Sequence, residues 1–349
     1  MSSDKILEMR YLIIGGAGFI GSNLADYFLR KKQEVAIFDN FSRKGAVVNT
    51  KWLRKNHPQV KVIKEDIRTD LKVLQKEIER NDVICHLAGQ VAVTTSVANP
   101  REDFEINALG TFNVLEAIRQ SKNQPTLVFT STNKVYGKME EIEVIEKKTR
   151  YEYKNLPLGV SEKQNLDFHS PYGCSKGAAD QYVRDYARIY GLKTIVFRQS
   201  CIYGPRQFGV EDQGWLAWFI IASVLDKPII IYGDGKQVRD ILYINDLVKA
   251  FDLAVQKINK TGGQIYNIGG GRENTISIWV EFGPILEELL GKKIKVKQSD
   301  WRPGDQPVFI SDIRKAKKEL GWEPKIGVEE GIKKLFNWVV KNKELFKDF

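Results

Sequence analysis

The sequence is poor in cysteine and holds only three histidines among 349 residues. Cys85, Cys174 and Cys201 are too widely spaced for a C-x-x-C pair, and no Cys/His spacing matches a zinc site. The expectation is three reduced thiols in a soluble cytoplasmic protein, with no metal. Long apolar runs are also missing. None approaches the roughly 20 residues that a bilayer crossing needs. The opening MSSDKILEMR has no apolar signal core, so no membrane partner is expected. Low-complexity linkers and internal repeats are absent, which argues against a solenoid. Finally, there is no basic tract. Lys and Arg number 54 against 44 Asp and Glu, a net +10, but the two signs are interspersed. That balance does not call for nucleic acid and suits a phosphorylated small molecule.

What is present alternates. Short apolar strands read at 10–15, 34–38, 60–64, 83–86, 126–130 and 194–198. Helical patterns read at 18–32, 107–119 and 171–190. Such alternation predicts an α/β fold, a doubly wound parallel sheet covered on both faces. Beyond residue 198 the rhythm breaks into turn-rich stretches such as YGPRQFG and IYGDGKQVRD. Helices are expected there at 213–225, 245–257, 276–290 and 328–341. The division expected is 1–198 for a dinucleotide-binding domain and 199–349 for a smaller mixed α/β carboxy-terminal substrate lobe, with segments exchanged between them.

The first strand runs into Gly15-Gly16-Ala17-Gly18-Phe19-Ile20-Gly21, a G-x-x-G-x-x-G. Glycine permits the tight turn and lets a pyrophosphate approach the backbone, and the helix that follows aims its free N–H groups at it. The second strand ends in Asp39, whose carboxylate can take the adenine-ribose hydroxyls and repel a 2′-phosphate. NAD is therefore favoured over NADP, although Arg43 nearby could pair with such a phosphate. Asp66 could receive the adenine amino group or be a loop acid. His86 reads as a packed strand histidine.

Tyr172-Gly173-Cys174-Ser175-Lys176 is a Y-x-x-x-K, which places phenol and ammonium on one helix face. A nearby cation favours phenolate, so Tyr172 can take a proton from a sugar hydroxyl near neutral pH. Thr130, Ser131 and Thr132 put hydroxyls at the carboxyl edge of the sheet, where open α/β folds bind ligands. Cys174 reads as structural. Trp215 and Trp218 could line a pocket or pack in the core.

Together these motifs resemble the extended short-chain dehydrogenase/reductase family. STNKVYG, RQSCIYGPRQ, VRDILYINDL and RPGDQ extend the likeness along the whole chain. The resemblance implies a Rossmann-like domain, bound NAD and a nucleotide-diphosphate sugar as substrate. It places Thr132, Tyr172 and Lys176 at the catalytic positions. Around the cofactor it places Gly15, Gly18, Phe19, Ile20, Gly21, Asp39, Asn40, Ser42, Arg43, Asp66, Ile67, Leu87, Ala88, Gln90 and Asn107, with Tyr172 and Lys176. On the substrate side it places Thr132, Gln213, Arg239 and Arg302.

Within the family, stretches such as HLAGQVAVTTSVANP and LDFHSPYGCSKGAADQY look like the 2-epimerases of CDP-hexoses, which convert CDP-paratose to CDP-tyvelose through a 2-keto intermediate. Dehydratase relatives carry Asp-Glu where Asn133-Lys134 stands, so β-elimination lacks its usual proton handlers. A UDP-sugar 4-epimerase or a net sugar dehydrogenase or reductase would use the same residues. A dimer or tetramer is expected.

Overall fold

The computed structural model describes residues 8–302 and 305–347. The opening MSSDKIL and the Pro303-Gly304 of the RPGDQ stretch lie outside them. A seven-stranded sheet organises the fold, in the order Gln264–Ile268, Thr194–Gln199, Thr126–Thr132, Val83–His86, Arg10–Ile14, Glu34–Phe38, Lys61–Ile63. Every neighbouring pair is parallel. The central strands are buried almost throughout, as in YLII of Arg10–Ile14 and TLVFTST of Thr126–Thr132, because helices cover both faces. Strand order reverses between Arg10–Ile14 and Val83–His86, and a crevice opens at the carboxyl ends of the strands there.

The chain crosses residue 198 more than once. Gln264–Ile268 returns from the second half to complete the large sheet beside Thr194–Gln199. The remaining second-half strands are short and paired across long separations. Val238–Tyr243 gathers Cys201–Tyr203, Thr275–Ser277 and Val308–Phe309 around itself. The pattern read as a helix over 276–290 divides in two. Thr275–Ser277 pairs as a strand, and the helix is Phe282–Leu290. β-Branched Thr275 and Ile276 suit the ladder, and Pro284 sits in the first helical turn, where its missing N–H has no helical partner to lose.

Helix Ser170–Tyr190 is fixed by a buried polar network. Asp180 on this helix takes both guanidinium arms of Arg198, at 2.8 and 2.9 Å. Arg198 also donates to the Tyr136 hydroxyl at 3.2 Å, and Tyr136 donates to Asn267 at 2.7 Å. Helix, two strands and the STNKVYG turn are thus locked in one register. Removing one partner would leave a buried charge, at a cost of about 3–5 kcal/mol.

Candidate active site

The glycine cradle has the form that a pyrophosphate needs. Gly15 adopts φ +81°, and a Cβ there would stand 2.6 Å from the Ala88 backbone nitrogen. A Cβ on Gly21 would strike the Gly15 carbonyl. Helix Phe19–Arg30 starts with no side-chain cap, which leaves its first N–H groups free for an anion. Asp39 closes the cradle by accepting from the Ala17 and Phe41 N–H groups, at 3.0 and 2.8 Å. Burial nonetheless raises its carboxyl. These residues fit a dinucleotide.

Other expected cofactor residues are already engaged. The Asp66 carboxylate takes Arg68 and Asn40, and these bonds hold it at about 2. Its partners occupy the oxygens expected to meet an adenine. Ile67 packs in the core against Gly110. The side chains of Gln90 and Asn107 turn inward. Asn107 takes the Gln90 N–H, and its amide donates to the Gln90 carbonyl, Asp103 and Ser175. Ser175 in turn donates to Asp103. This buried cluster ties the loop 87–92 to the Tyr172 helix, and the sequence reading missed its members Asp103 and Ser175. Leu87 and Ala88 are half-buried, Ser42 and Arg43 exposed. Arg43 donates to Gln213 at 3.0 Å, which joins the cofactor side to the substrate side.

A cavity of about 630 Å³ runs from this crevice into the second half. Phe19 and Ile20 line one end, Thr132 and Tyr172 one wall, and Gln213, Arg239 and Arg302 the other. Thr132 ends its sheet strand, and Tyr172 occupies the first turn of its helix, so both meet at the carboxyl edge. Burial pushes the Tyr172 phenol up to about 12, against the opposing hydrogen bond of Thr132. Burial pulls Lys176 down to about 8.

The expected softening of the phenol by Lys176 is not what the geometry shows. The ammonium donates to the Thr130 carbonyl at 2.6 Å and stands 4.3 Å over the Phe129 ring. A long buried lysine needs an acceptor, and the strand carbonyl supplies it. His86 is fully buried, hydrogen-bonded to Thr111 and held neutral, by burial first and Lys176 second.

Arg239 is buried and paired with Asp305 at 2.6 Å. Arg302 pairs with Asp212 at 3.0 Å and lies 4.0 Å over the Tyr232 ring. Lys134 lines the cavity, 3.9 Å from Asp305. Arg239 and Lys134 thus share Asp305, an acid that was not foreseen, and Arg302 lines the same cavity. Trp215 and Trp218 both pack against the core, and Trp215 also lines the cavity. Cys174 is exposed rather than packed within the protein.

The sequence matches the family model described as GDP-mannose 4,6 dehydratase over residues 12–335. The chain belongs to that family. Its extended short-chain dehydrogenase/reductase character agrees with the motifs. It is 44% identical to the CDP-paratose 2-epimerase of Salmonella typhi, over 95% of this chain and 99% of that protein. A solved UDP-glucose 4-epimerase from Thermotoga maritima, with UDP-glucose, superposes with TM-score 0.81 at 30% identity, covering 96% of this chain and 100% of the other. A dTDP-glucose 4,6-dehydratase from Streptomyces venezuelae, with NAD bound, gives TM-score 0.83 at 28% identity, covering 97% and 99%. Among the described residues no helix is long and apolar enough to cross a membrane.

Proposed function

We propose that the protein is an NAD-dependent nucleotide-sugar epimerase that inverts C2 of a CDP-hexose, converting CDP-paratose to CDP-tyvelose. One observation carries this reading. Tyr172 and Thr132 share a cavity with Arg239 and Arg302, so groups able to handle a proton and two guanidinium groups able to hold a diphosphate line one space. Likeness to the Salmonella protein supplies the choice of sugar and base.

Gly15, Gly18, Phe19, Ile20, Gly21 and Asp39 would hold the dinucleotide, with Leu87 and Ala88 giving it room. Asn40, Ser42 and Arg43 would border its adenosine end, while Asp66, Ile67, Gln90 and Asn107, engaged with protein partners, would shape the pocket by holding its loops in place. When bound, NAD supplies a hydride acceptor and donor beside the sugar. Burial holds the Tyr172 phenol protonated in the empty site, so the positive charge of the oxidised dinucleotide would be needed to bring it to phenolate, the form that takes the C2 hydroxyl proton and later returns it. Thr132 orients the reacting oxygen. Lys176 braces the strand carbonyl at Thr130 and lends positive charge to the site. Arg239 and Arg302 clamp the diphosphate and leave the sugar free to turn its other face, and Gln213 borders that turn. Asn133-Lys134 offers no carboxylate pair for eliminating water.

The division into a cofactor half, 1–198, and a substrate half, 199–349, describes the two cavity walls, with Gln264–Ile268 exchanged. A cytoplasmic location fits three free thiols. A homo-oligomer fits the exposed Phe112, Tyr182, Ile189 and Tyr190 on two adjacent helices, an apolar face suited to a second copy.

The test is incubation of the purified protein with CDP-paratose and no added NAD. CDP-tyvelose should form with no net absorbance change at NADH wavelengths. A UDP-sugar 4-epimerase, favoured by the likeness to the Thermotoga enzyme, would instead turn over UDP-glucose under those conditions. Stoichiometric NADH formation would mean a net dehydrogenase.

A further inference from the structure

Gln199 ends the strand Thr194–Gln199, and its register partner across the sheet is Thr132. It therefore stands beside the hydroxyl that orients the reacting oxygen. The next residues, Cys201–Tyr203, pair with Val238–Tyr243, the strand that carries Arg239. Gln199 thus lies between the hydroxyl wall and the cation wall, and it lines the same cavity. It is 8% exposed, and its Nε2 has no hydrogen-bond partner among the described residues. A buried amide without a partner is costly, and its neighbours spend their polar groups elsewhere. Ser200 donates to the Asp240 carboxylate and backbone carbonyl, and Thr132 accepts from the Lys134 N–H. Gln199 lines the cavity while its Nε2 is itself shut in, so an occupant of the cavity meets the amide once the amide turns its donor toward it.

We propose that Gln199 is a substrate-contacting residue whose side-chain amide hydrogen-bonds a ring oxygen of the sugar and so selects how the sugar presents C2. This rests on the epimerase reading. The sugar is favoured over the dinucleotide because it must bridge Thr132 and the diphosphate cations, and Gln199 lines that cavity beside Thr132, two residues before the strand that pairs with the one carrying Arg239.

The test uses the holoenzyme and two near-isosteric variants. Gln199→Met keeps the length and removes all hydrogen bonding. Gln199→Glu keeps the shape and replaces the donor by an acceptor. Both should lower kcat/KM for CDP-paratose about tenfold or more, chiefly through KM. Bound NAD per chain should stay unchanged. The melting temperature of Gln199→Met should equal or exceed that of the parent, because an unpaired buried amide has been removed.

Unchanged kcat/KM in Gln199→Met would overturn the proposal. So would a lowered melting temperature that accounts for the lost activity, which marks a structural amide, or loss of NAD, which marks a cofactor contact. If the parent protein itself fails to epimerise CDP-paratose, the functional reading fails instead, and the two failures are told apart.

Discussion

The two walls of the cavity are built in different ways. One wall is the edge of a regular parallel sheet, where Thr132 and Tyr172 sit at the ends of long, buried elements. The other is assembled from strands of two to six residues brought together across up to about a hundred positions, and it carries Arg239 and Arg302. The regular wall holds neutral, desolvated groups whose protonation is set by burial. The irregular wall holds permanent cations, each partly balanced by an acid. On the proposed reading, proton handling is rigidly placed and anion binding falls to a more tunable surface.

That contrast predicts a division of kinetic effects. Tyr172→Phe should lower kcat by about 10²–10⁴-fold with KM little changed. Arg239→Met should lower kcat/KM about 100-fold, mostly in KM. It should also destabilise the protein by roughly 3 kcal/mol in urea titration, because Asp305 keeps its charge in a cavity without its 2.6 Å partner. A kcat effect from Arg239→Met with KM intact would erase the distinction between the walls.

Smaller changes sharpen it. Gly21→Ala forces a methyl against the Gly15 carbonyl and should cost about 1–3 kcal/mol and deplete bound NAD, read by absorbance of the denatured supernatant. Arg302→Met should raise KM about tenfold, yet change stability by less than about 1 kcal/mol, since its partner Asp212 is half exposed.

The smallest effect is in pH. Lys176 sits near 8 in the folded chain, below its ordinary value of 10.5, so the unfolded chain binds more protons between those limits. The parent protein should therefore gain stability relative to Lys176→Met as pH rises from about 8 to about 10.5. A relative loss over that window would mean that the ammonium is stabilised by its site, contrary to the burial described.

The sequence made the regular wall legible and the irregular one only in part. Val83–His86 and Glu34–Phe38 fall where apolar runs end in turn residues, and the glycines mark their own backbone demands. Tyr172 was visible from its spacing to Lys176. The path of the lysine was not, because a four-residue spacing fixes a helix face but not which acceptor a long buried side chain finds.

Gln90 and Asn107 were placed by likeness to the family, and Asp66 by its position after the third strand. Gln90 and Asn107 face the buried Asp103 and Ser175, and Asp66 is taken by Arg68 and Asn40, partners that the motifs did not reveal. Arg239 and Arg302 likewise came from likeness alone. Asp305 and Gln199 went unseen because their roles exist only after Val238–Tyr243 has gathered its distant partners.

The central claim is that hydride leaves C2 and returns to the same carbon within one binding event. CDP-paratose deuterated at C2, incubated with the purified protein without added dinucleotide, tests this directly. Mass spectrometry and NMR should find the deuterium retained at C2 of CDP-tyvelose. Replacement of that deuterium by solvent hydrogen would contradict transient oxidation and point to deprotonation at carbon.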